Sequence, residues 1–484
     1  MGVRVGRQVL FGLMAGFSLA LLACAGGCGG TTSSTAFPSQ QSQNAMAVPK
    51  SFWGASVFKA AEFPVHGGMS PGTLGKVGGI AWAYLESTCD GGTNPADACY
   101  NWTPLSDWVS FGQSHRMNLV YDINGIPGWM CSSSSTSCSV LPSNLTWVSN
   151  FATALATKFK GQIKYYETGN EVNSAYWTDT CANLVLLHNT LYRAIKAADP
   201  NAIVGAPNVA NDSPGSACSN SPNPAGHDSS IWLANFLATR DANNQLPTVD
   251  TVGVHTYASE YYSGCSGATN PPCYTTATHG CDMTANPLAC SAQIPLNFYN
   301  DFRAVMNKAG IPSTMPLLVT EGGFGQDSQP YSCPTSTYVN TACLSPTQQV
   351  AYVARWLLVS ASTWADRGGQ LPSWYAYDTD WGTLNGSYGM NPQNASAYGQ
   401  MESWLQGAIF QQPCHIGNPT TVFVCDYTNA QAQQFEILFN NNNGATATYT
   451  TPAWATSYQP LLGTAQNIGS GTVAVGDTPI LLTH

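Results

Sequence analysis

IKYYETGN (163–170), followed by Glu171, and PLLVTEGG (316–323) each begin as an apolar β-like run and close on a carboxylate. Six other runs have the same strand-like character: FWGASVF (52–58), VGGIAWAYL (77–85), NLVYDIN (118–124), AIVGAP (202–207), DTVGVHTYA (250–258) and SWYAYD (373–378). Between them lie stretches with apolar residues at helical spacing, among them LTWVSNFATALATKFK (145–160), 182–198 and 348–365. Eight strands alternating with helices predict an α/β fold, a (β/α)8 barrel enlarged by loop insertions over 48–410. A doubly wound open sheet fits less well, because no Gly-rich phosphate loop follows the first run. After about residue 410 the helical pattern stops. TVFVCDY (421–427), QQFEILF (433–439), ATATYT (445–450), TVAV (472–475) and TPILLT (478–483) are short runs separated by Asn/Gly turns. They predict a small all-β sandwich over 411–484, a structural cap on the barrel in preference to a carbohydrate-binding module.

Composition narrows the partners. Of 484 residues, 44% are hydrophobic and only 9% are charged, against roughly 25% in ordinary soluble proteins. The net charge is −10 and no Lys/Arg run exists, so nucleic acid is not an expected partner. Aromatic residues make up 11%, too many for a disordered chain. A surface rich in Ser, Thr, Asn, Gly and Tyr suits neutral polar ligands, of which sugars are the obvious class.

The N-terminus reads as an address. Arg4 and Arg7 precede an apolar stretch, 8–23, that is short for a membrane span. Leu21-Leu22-Ala23-Cys24 has the shape of a lipoprotein processing site, predicting a signal peptide over 1–23, a lipid on Cys24 and a small-residue tether over 24–47. Membrane contact is then expected only through that anchor, in a bacterial cell envelope or after secretion. Fourteen further cysteines fall into pairs, 89/99, 131/138, 181/218, 265/273, 281/290, 333/343 and 414/425, expected as disulfides. No zinc spacing, HExxH, GxSxG or P-loop occurs, so no metal and no cofactor are expected.

In a barrel, functional groups sit at the C-terminal ends of strands. Glu171 and Glu321 close the fourth and seventh runs in a chain that is poor in charge. A lone Glu at a strand end is ordinarily a solvated or capping residue; two facing one cleft can perform glycoside hydrolysis, one protonating the leaving oxygen while the other attacks the anomeric carbon. The general acid needs a raised pKa, for which Tyr176, Trp177 and Tyr257 are candidate walls. Glu167, lower on the fourth run, is expected in the barrel interior, and Asp122 is open to either reading. Asn124 and Asp378, at the ends of the third and eighth runs, are candidate partners for sugar hydroxyls. Trp82, Trp129, Trp177, Trp374, Tyr377 and Trp381 fall near strand tops as candidate stacking surfaces.

Gly169-Asn170-Glu171-Val172-Asn173 and the Thr320-Glu321 strand end resemble the signature of the clan A glycoside hydrolases, most closely family 39 and its relatives. Tyr100-Asn101-Trp102, Trp381-Gly382-Thr383-Leu384 and Thr478-Pro479-Ile480-Leu481-Leu482 are similar to further stretches of those enzymes. The resemblance implies a retaining glycosidase acting on poly- or oligosaccharides, mostly at β-linkages. It makes Glu171 the acid/base and Glu321 the nucleophile. Asn170 is then the partner of the sugar 2-hydroxyl, Tyr257 touches the nucleophile and His255 lies nearby. Many members carry an Arg at the top of strand two. Here Gly75-Lys76-Val77-Gly78-Gly79 has only Lys76, which cannot form the same bidentate fork. The rival readings are a non-catalytic carbohydrate-binding barrel and a surface adhesion protein.

Overall fold

The computed structural model describes residues 47–59, 63, 67–77, 79–131, 133, 135–173, 176–210, 218, 229–257, 290–312, 317–323, 344–364, 370–378, 384, 392–442 and 444–484. Eight parallel strands make one sheet: β1 (Gly54–Val57), β2 (Thr73–Val77), β3 (Asn118–Asp122), β4 (Tyr165–Glu167), β5 (Ile203–Gly205), β6 (Val252–Tyr257), β7 (Leu317–Gly323) and β8 (Gln370–Trp374). β1 pairs with both β2 and β8, and bridges Gly205–Thr251 and Val209–Val254 join β5 to β6, so the sheet curls into a barrel. Strands such as β6 and β7 are buried on both faces, which is why they read as unbroken apolar runs rather than alternating ones.

Helices α1 (Trp82–Leu85), α2 (Thr103–Ser114), α3 (Leu145–Lys158), α4 (Cys181–Ala198), α5 (Ser229–Ala238), α6 (Cys290–Lys308), α7 (Pro346–Trp364) and α8 (Gln393–Leu405) lie between or after them. Local chemistry fixes the helix starts. Asn144 accepts the Thr146 N–H at 3.0 Å ahead of α3, and Thr180 accepts the Asn183 N–H at 3.2 Å ahead of α4. No helix is found among the described residues between β1 and β2. No described helix is long and apolar enough to cross a membrane.

Two strand expectations need correction. The second strand is Thr73–Val77, not 77–85. Gly79, at φ 67°, turns the chain out of the sheet, and residues 82–85 form one helical turn. Trp82 is buried there by stacking on Phe151 at 4.4 Å. A buried apolar run carries no periodicity to separate these outcomes. The eighth strand likewise ends at Trp374, and 375–378 leave the sheet.

The C-terminal sheet is antiparallel. β9 (Ile409–Ile416), β10 (Val422–Thr428), β11 (Gln434–Asn440), β13 (Ser457–Pro460), β14 (Gln466–Asn467) and β16 (Ile480–Thr483) hydrogen-bond in the order 9-10-11-16-13-14. β12 (Ala447–Thr450) pairs with β15 (Thr472–Val475) as a second layer. Val422, Val424, Leu438, Val473, Val475, Ile480 and Leu482 fill the space between the layers, as the sandwich reading requires. Arg355 of α7 joins the two parts. It is fully buried and donates to the Asn440 carbonyl at 2.7 Å and the Asp477 carbonyl at 2.7 Å.

Disulfides form between Cys89 and Cys99, Cys131 and Cys138, Cys181 and Cys218, and Cys414 and Cys425. Bonds of this kind persist in oxidising, extracellular-type compartments. The remaining expected pairs, the signal segment, the tether and Cys24 lie outside the described residues, apart from the backbone of Cys290 and Ala47, the last tether residue, which bridges Ile409.

Candidate active site

Glu171 follows β4 in a tight turn and takes φ 43°, the left-handed region that a β-carbon disfavours. Its backbone N–H donates to Asn208 Oδ1 at 2.7 Å. Glu321 stands within β7, opposite His255 of β6 in the register. His255 and Tyr257 are two residues apart on one strand and so face the same way. The Tyr257 hydroxyl donates to Glu321 Oε2 at 2.7 Å. His255 Nδ1 lies 2.7 Å from Glu171 Oε1 and 3.6 Å from Glu321 Oε2. Lys76, one residue from the end of β2, reaches the other side. Its ammonium contacts Glu321 Oε1, donates to Asn170 Oδ1 at 2.9 Å and sits 5.9 Å from the Tyr375 ring centroid. One carboxylate oxygen of Glu171, one of Glu321 and a ring nitrogen of His255 all fall within 4.8 Å of one another.

Burial and charge compete at every group. Burial alone would raise Glu321; the charges of His255 and Lys76, with hydrogen bonds from Lys76 and Tyr257, hold it below the usual carboxylate range instead. Burial would discharge His255, but the Glu321 and Glu171 carboxylates raise it to about 9, so at neutral pH it is an imidazolium. Burial opposes the Lys76 charge as well, and Glu321 and Asp122 outweigh it, holding Lys76 well above the ordinary lysine value. Beneath them, burial pushes Asp122 up to about 6, against the pull of Lys76, and Glu167 up to about 8. The Glu171–His255–Glu321 cluster has the spacing of a metal site. Its oxygens already have partners within the site: Glu321 takes Lys76 and Tyr257, and Glu171 faces His255.

Asn170, His255 and Tyr257 therefore converge with the two glutamates. Asn124 tops β3, half-buried, its amide 3.3 Å from Asp122 Oδ2. Four of the expected sugar contacts are buried. Trp177 is buried, its indole N–H on the Thr180 carbonyl at 3.2 Å. Trp374 is fully buried, edge-on to Trp356 at 5.5 Å. Tyr377 is fully buried, edge-on to Phe63 at 5.2 Å. Asp378, also buried, accepts the backbone N–H groups of Phe58, at 2.8 Å, and Lys59, tying the loop after β1 to that after β8. Each lies near a strand end, yet packing claims it. Trp381 is outside the described residues. Among the described residues the well-exposed aromatics are Tyr84, 59% accessible, and Tyr176, 62% accessible, after β2 and β4. Asn208 and Tyr375 escaped the sequence reading. A lone amide closing an apolar strand, as in Ala206-Pro207-Asn208-Val209, was the available signal for the first.

The barrel and its appended antiparallel sheet have the fold of the clan A glycoside hydrolases. Among solved structures the chain is similar to a family 39 glycoside hydrolase from the gut symbiont Bacteroides cellulosilyticus WH2, at 16% identity and TM-score 0.55, over 84% of this chain and 74% of that one. It is similar to AbfB, a family 51 α-L-arabinofuranosidase from Bifidobacterium longum, at 13% identity and TM-score 0.53, over 91% and 97% of the two chains. A family 44 xyloglucanase from Paenibacillus polymyxa matches at 11% identity and TM-score 0.54, over the same 91% and 97%. At these identities the likeness is one of fold. No family model and no curated protein matches the sequence.

Proposed function

We propose that the protein is a retaining glycoside hydrolase acting on poly- or oligosaccharides, chiefly at β-linkages, with Glu321 as nucleophile and Glu171 as acid/base. The observation that carries this is the pair of carboxylates from β4 and β7, with oxygens inside 4.8 Å of one another at one barrel mouth. Retaining enzymes need carboxyl groups about 5–5.5 Å apart; inverting ones hold them at about 6.5–9.5 Å to admit a water. Asymmetry in the surroundings supports the division of labour. Glu321 receives Lys76 and Tyr257 and is kept ionised, as attack at the anomeric carbon requires. Glu171 is more exposed, its side chain 21% accessible against 6% for Glu321, as suits a group that must exchange its proton with a leaving oxygen and then with water. Glu171 donates its proton to the leaving oxygen as Glu321 bonds to the anomeric carbon. Glu171 then takes a proton from the water that displaces Glu321. Asn170, held by Lys76, is left with its amide N–H groups for the sugar 2-hydroxyl. We read the protein as exported, which the four disulfides support, and as held by a lipid on Cys24, a reading that rests on the sequence alone.

Azide tests the roles. With an activated aryl glycoside, Glu171→Ala should form the glycosyl-enzyme, stall, and be rescued by azide to a product of retained configuration. Glu321→Ala should give the inverted azide, since azide then attacks the substrate directly. Opposite stereochemistry in the two variants reverses the roles. Absence of turnover by the wild type across a broad glycan panel, with binding retained, would make this a carbohydrate-binding or adhesion barrel.

A further inference from the structure

Beneath the facing carboxylates lies a polar layer that the reaction does not touch. Glu167, the last residue of β4, is 2% exposed. Its Oε2 accepts from Asn208 Nδ2 at 2.8 Å, and its Oε1 from the Thr320 hydroxyl at 3.1 Å. Gly253 on β6 makes the room: a β-carbon there would lie 1.8 Å from Glu167 Oε1. Asn208, just past β5, holds the turn after β4 at three points. Its Oδ1 accepts the Glu171 N–H at 2.7 Å, its N–H donates to the Gly169 carbonyl at 2.9 Å, and its carbonyl accepts the Val172 N–H at 3.3 Å. Inside that turn Glu171 takes φ 43°, a conformation that persists only where surrounding contacts impose it.

An amide has one donating and one accepting end. By accepting from Nδ2, Glu167 leaves only Oδ1 to face the Glu171 N–H. A flipped amide would set two donors against each other and an oxygen against the Glu167 carboxyl. We propose that Glu167 and Asn208 are positioning residues for proton transfer: Glu167 sets the Asn208 amide, and Asn208 holds the strained turn that aims the Glu171 carboxyl at the leaving oxygen. This rests on Glu171 being the acid/base. A glutamine at 167 keeps an oxygen for Asn208 Nδ2 and can turn its amide N–H to the Thr320 hydroxyl, so it preserves the setting of the Asn208 amide.

Leaving-group dependence separates positioning from general damage to the fold. The probes are the dinitrophenyl and phenyl glycosides of a sugar that the wild type turns over, and kcat/KM is read on each. Asn208→Leu should lose about 100-fold on the phenyl substrate, within the range ascribed to a proton-transfer group, and only a few-fold on the dinitrophenyl one. Glu167→Leu should show the same split, and Glu167→Gln should restore both substrates. Asn208→Asp keeps the shape and should still fold; it retains an acceptor for the Glu171 N–H but sets an oxygen against Glu167, so a smaller split is expected. Equal losses on both substrates in these variants, or no loss in the isosteric Asn208→Asp, overturn the proposal. Glu171→Ala is the control. If it shows no split, the acid/base assignment itself fails; if it does and the Asn208 and Glu167 variants do not, only the positioning inference falls.

Discussion

The barrel interior and the sandwich interior solve the same packing problem with opposite materials. Between the sandwich layers lie Val422, Val424, Leu438, Val473, Val475, Ile480 and Leu482. Near the barrel mouth, buried or nearly so, lie Lys76, Asp122, Glu167, His255 and Glu321. Isolated buried charges cost several kcal/mol each, so they persist only where partners offset them. Each of these groups has a hydrogen-bond or charge partner within the barrel, whereas the residues that fill the space between the sandwich layers are apolar. The contrast teaches where this chain spends stability on chemistry and where it does not.

The sharpest way to break that contrast is to remove the nucleophile. Glu321→Ala is expected to lower kcat/KM by at least about 10⁴-fold on every substrate, whatever the leaving group, measured with aryl glycosides. Lys76→Met should cost about 10²–10³-fold and raise the acid limb of the pH profile, because Glu321 loses its nearest cation. Lys76→Arg should recover part of that loss. An unmoved acid limb in Lys76→Met would mean that Lys76 does not hold Glu321 ionised.

Leu438→Ala in the sandwich should instead cost about 2–5 kcal/mol of stability with kcat unchanged, read by denaturant melts alongside activity. A fall in kcat at full folding would show that the sandwich takes part in the reaction. Next comes pH. His255 titrates at about 9 in the folded chain against about 6.5 unfolded. Its contribution is fully present below about 6.5 and is lost as pH rises through 9, a decline of about 3 kcal/mol. Glu167, raised to about 8, acts in the same direction over a lower range. His255→Gln should flatten the upper part of the curve and Glu167→Gln the lower. A wild-type stability flat between pH 6 and 9 contradicts both. The smallest effect is expected at exposed Tyr176. Tyr176→Ala should change stability by less than about 0.5 kcal/mol, while a few-fold rise in KM for a polymer, absent for a small aryl glycoside, would mark it as a sugar platform.

Strand order and the two glutamates were legible because each rests on a local pattern: an apolar run ending in a carboxylate. The placing of Asn170, His255 and Tyr257 beside them came from the resemblance to the clan A enzymes. What stayed hidden was contact across strands. Trp374 and Tyr377 stand where a stacking residue would, and only the packing of Trp356 and Phe63 shows that they belong to the core. Asp378 reads as a sugar partner until the backbone of Phe58 and Lys59 is seen to claim it. Asn208 is an ordinary loop amide until the fold sets it beside Glu167 and Glu171. The strand at 77–85 misled because an apolar helical turn and a strand can share one composition.

One junction orients the whole molecule. Ala47 bridges Ile409, Val48 donates to the Ala408 carbonyl, and Gly407 donates back to Val48. This knot precedes β1 and follows α8, so it closes the floor of the barrel, whereas the reacting carboxylates open at the roof. The seam that ties the start of the barrel to its last helix therefore lies at the opposite pole from the chemistry.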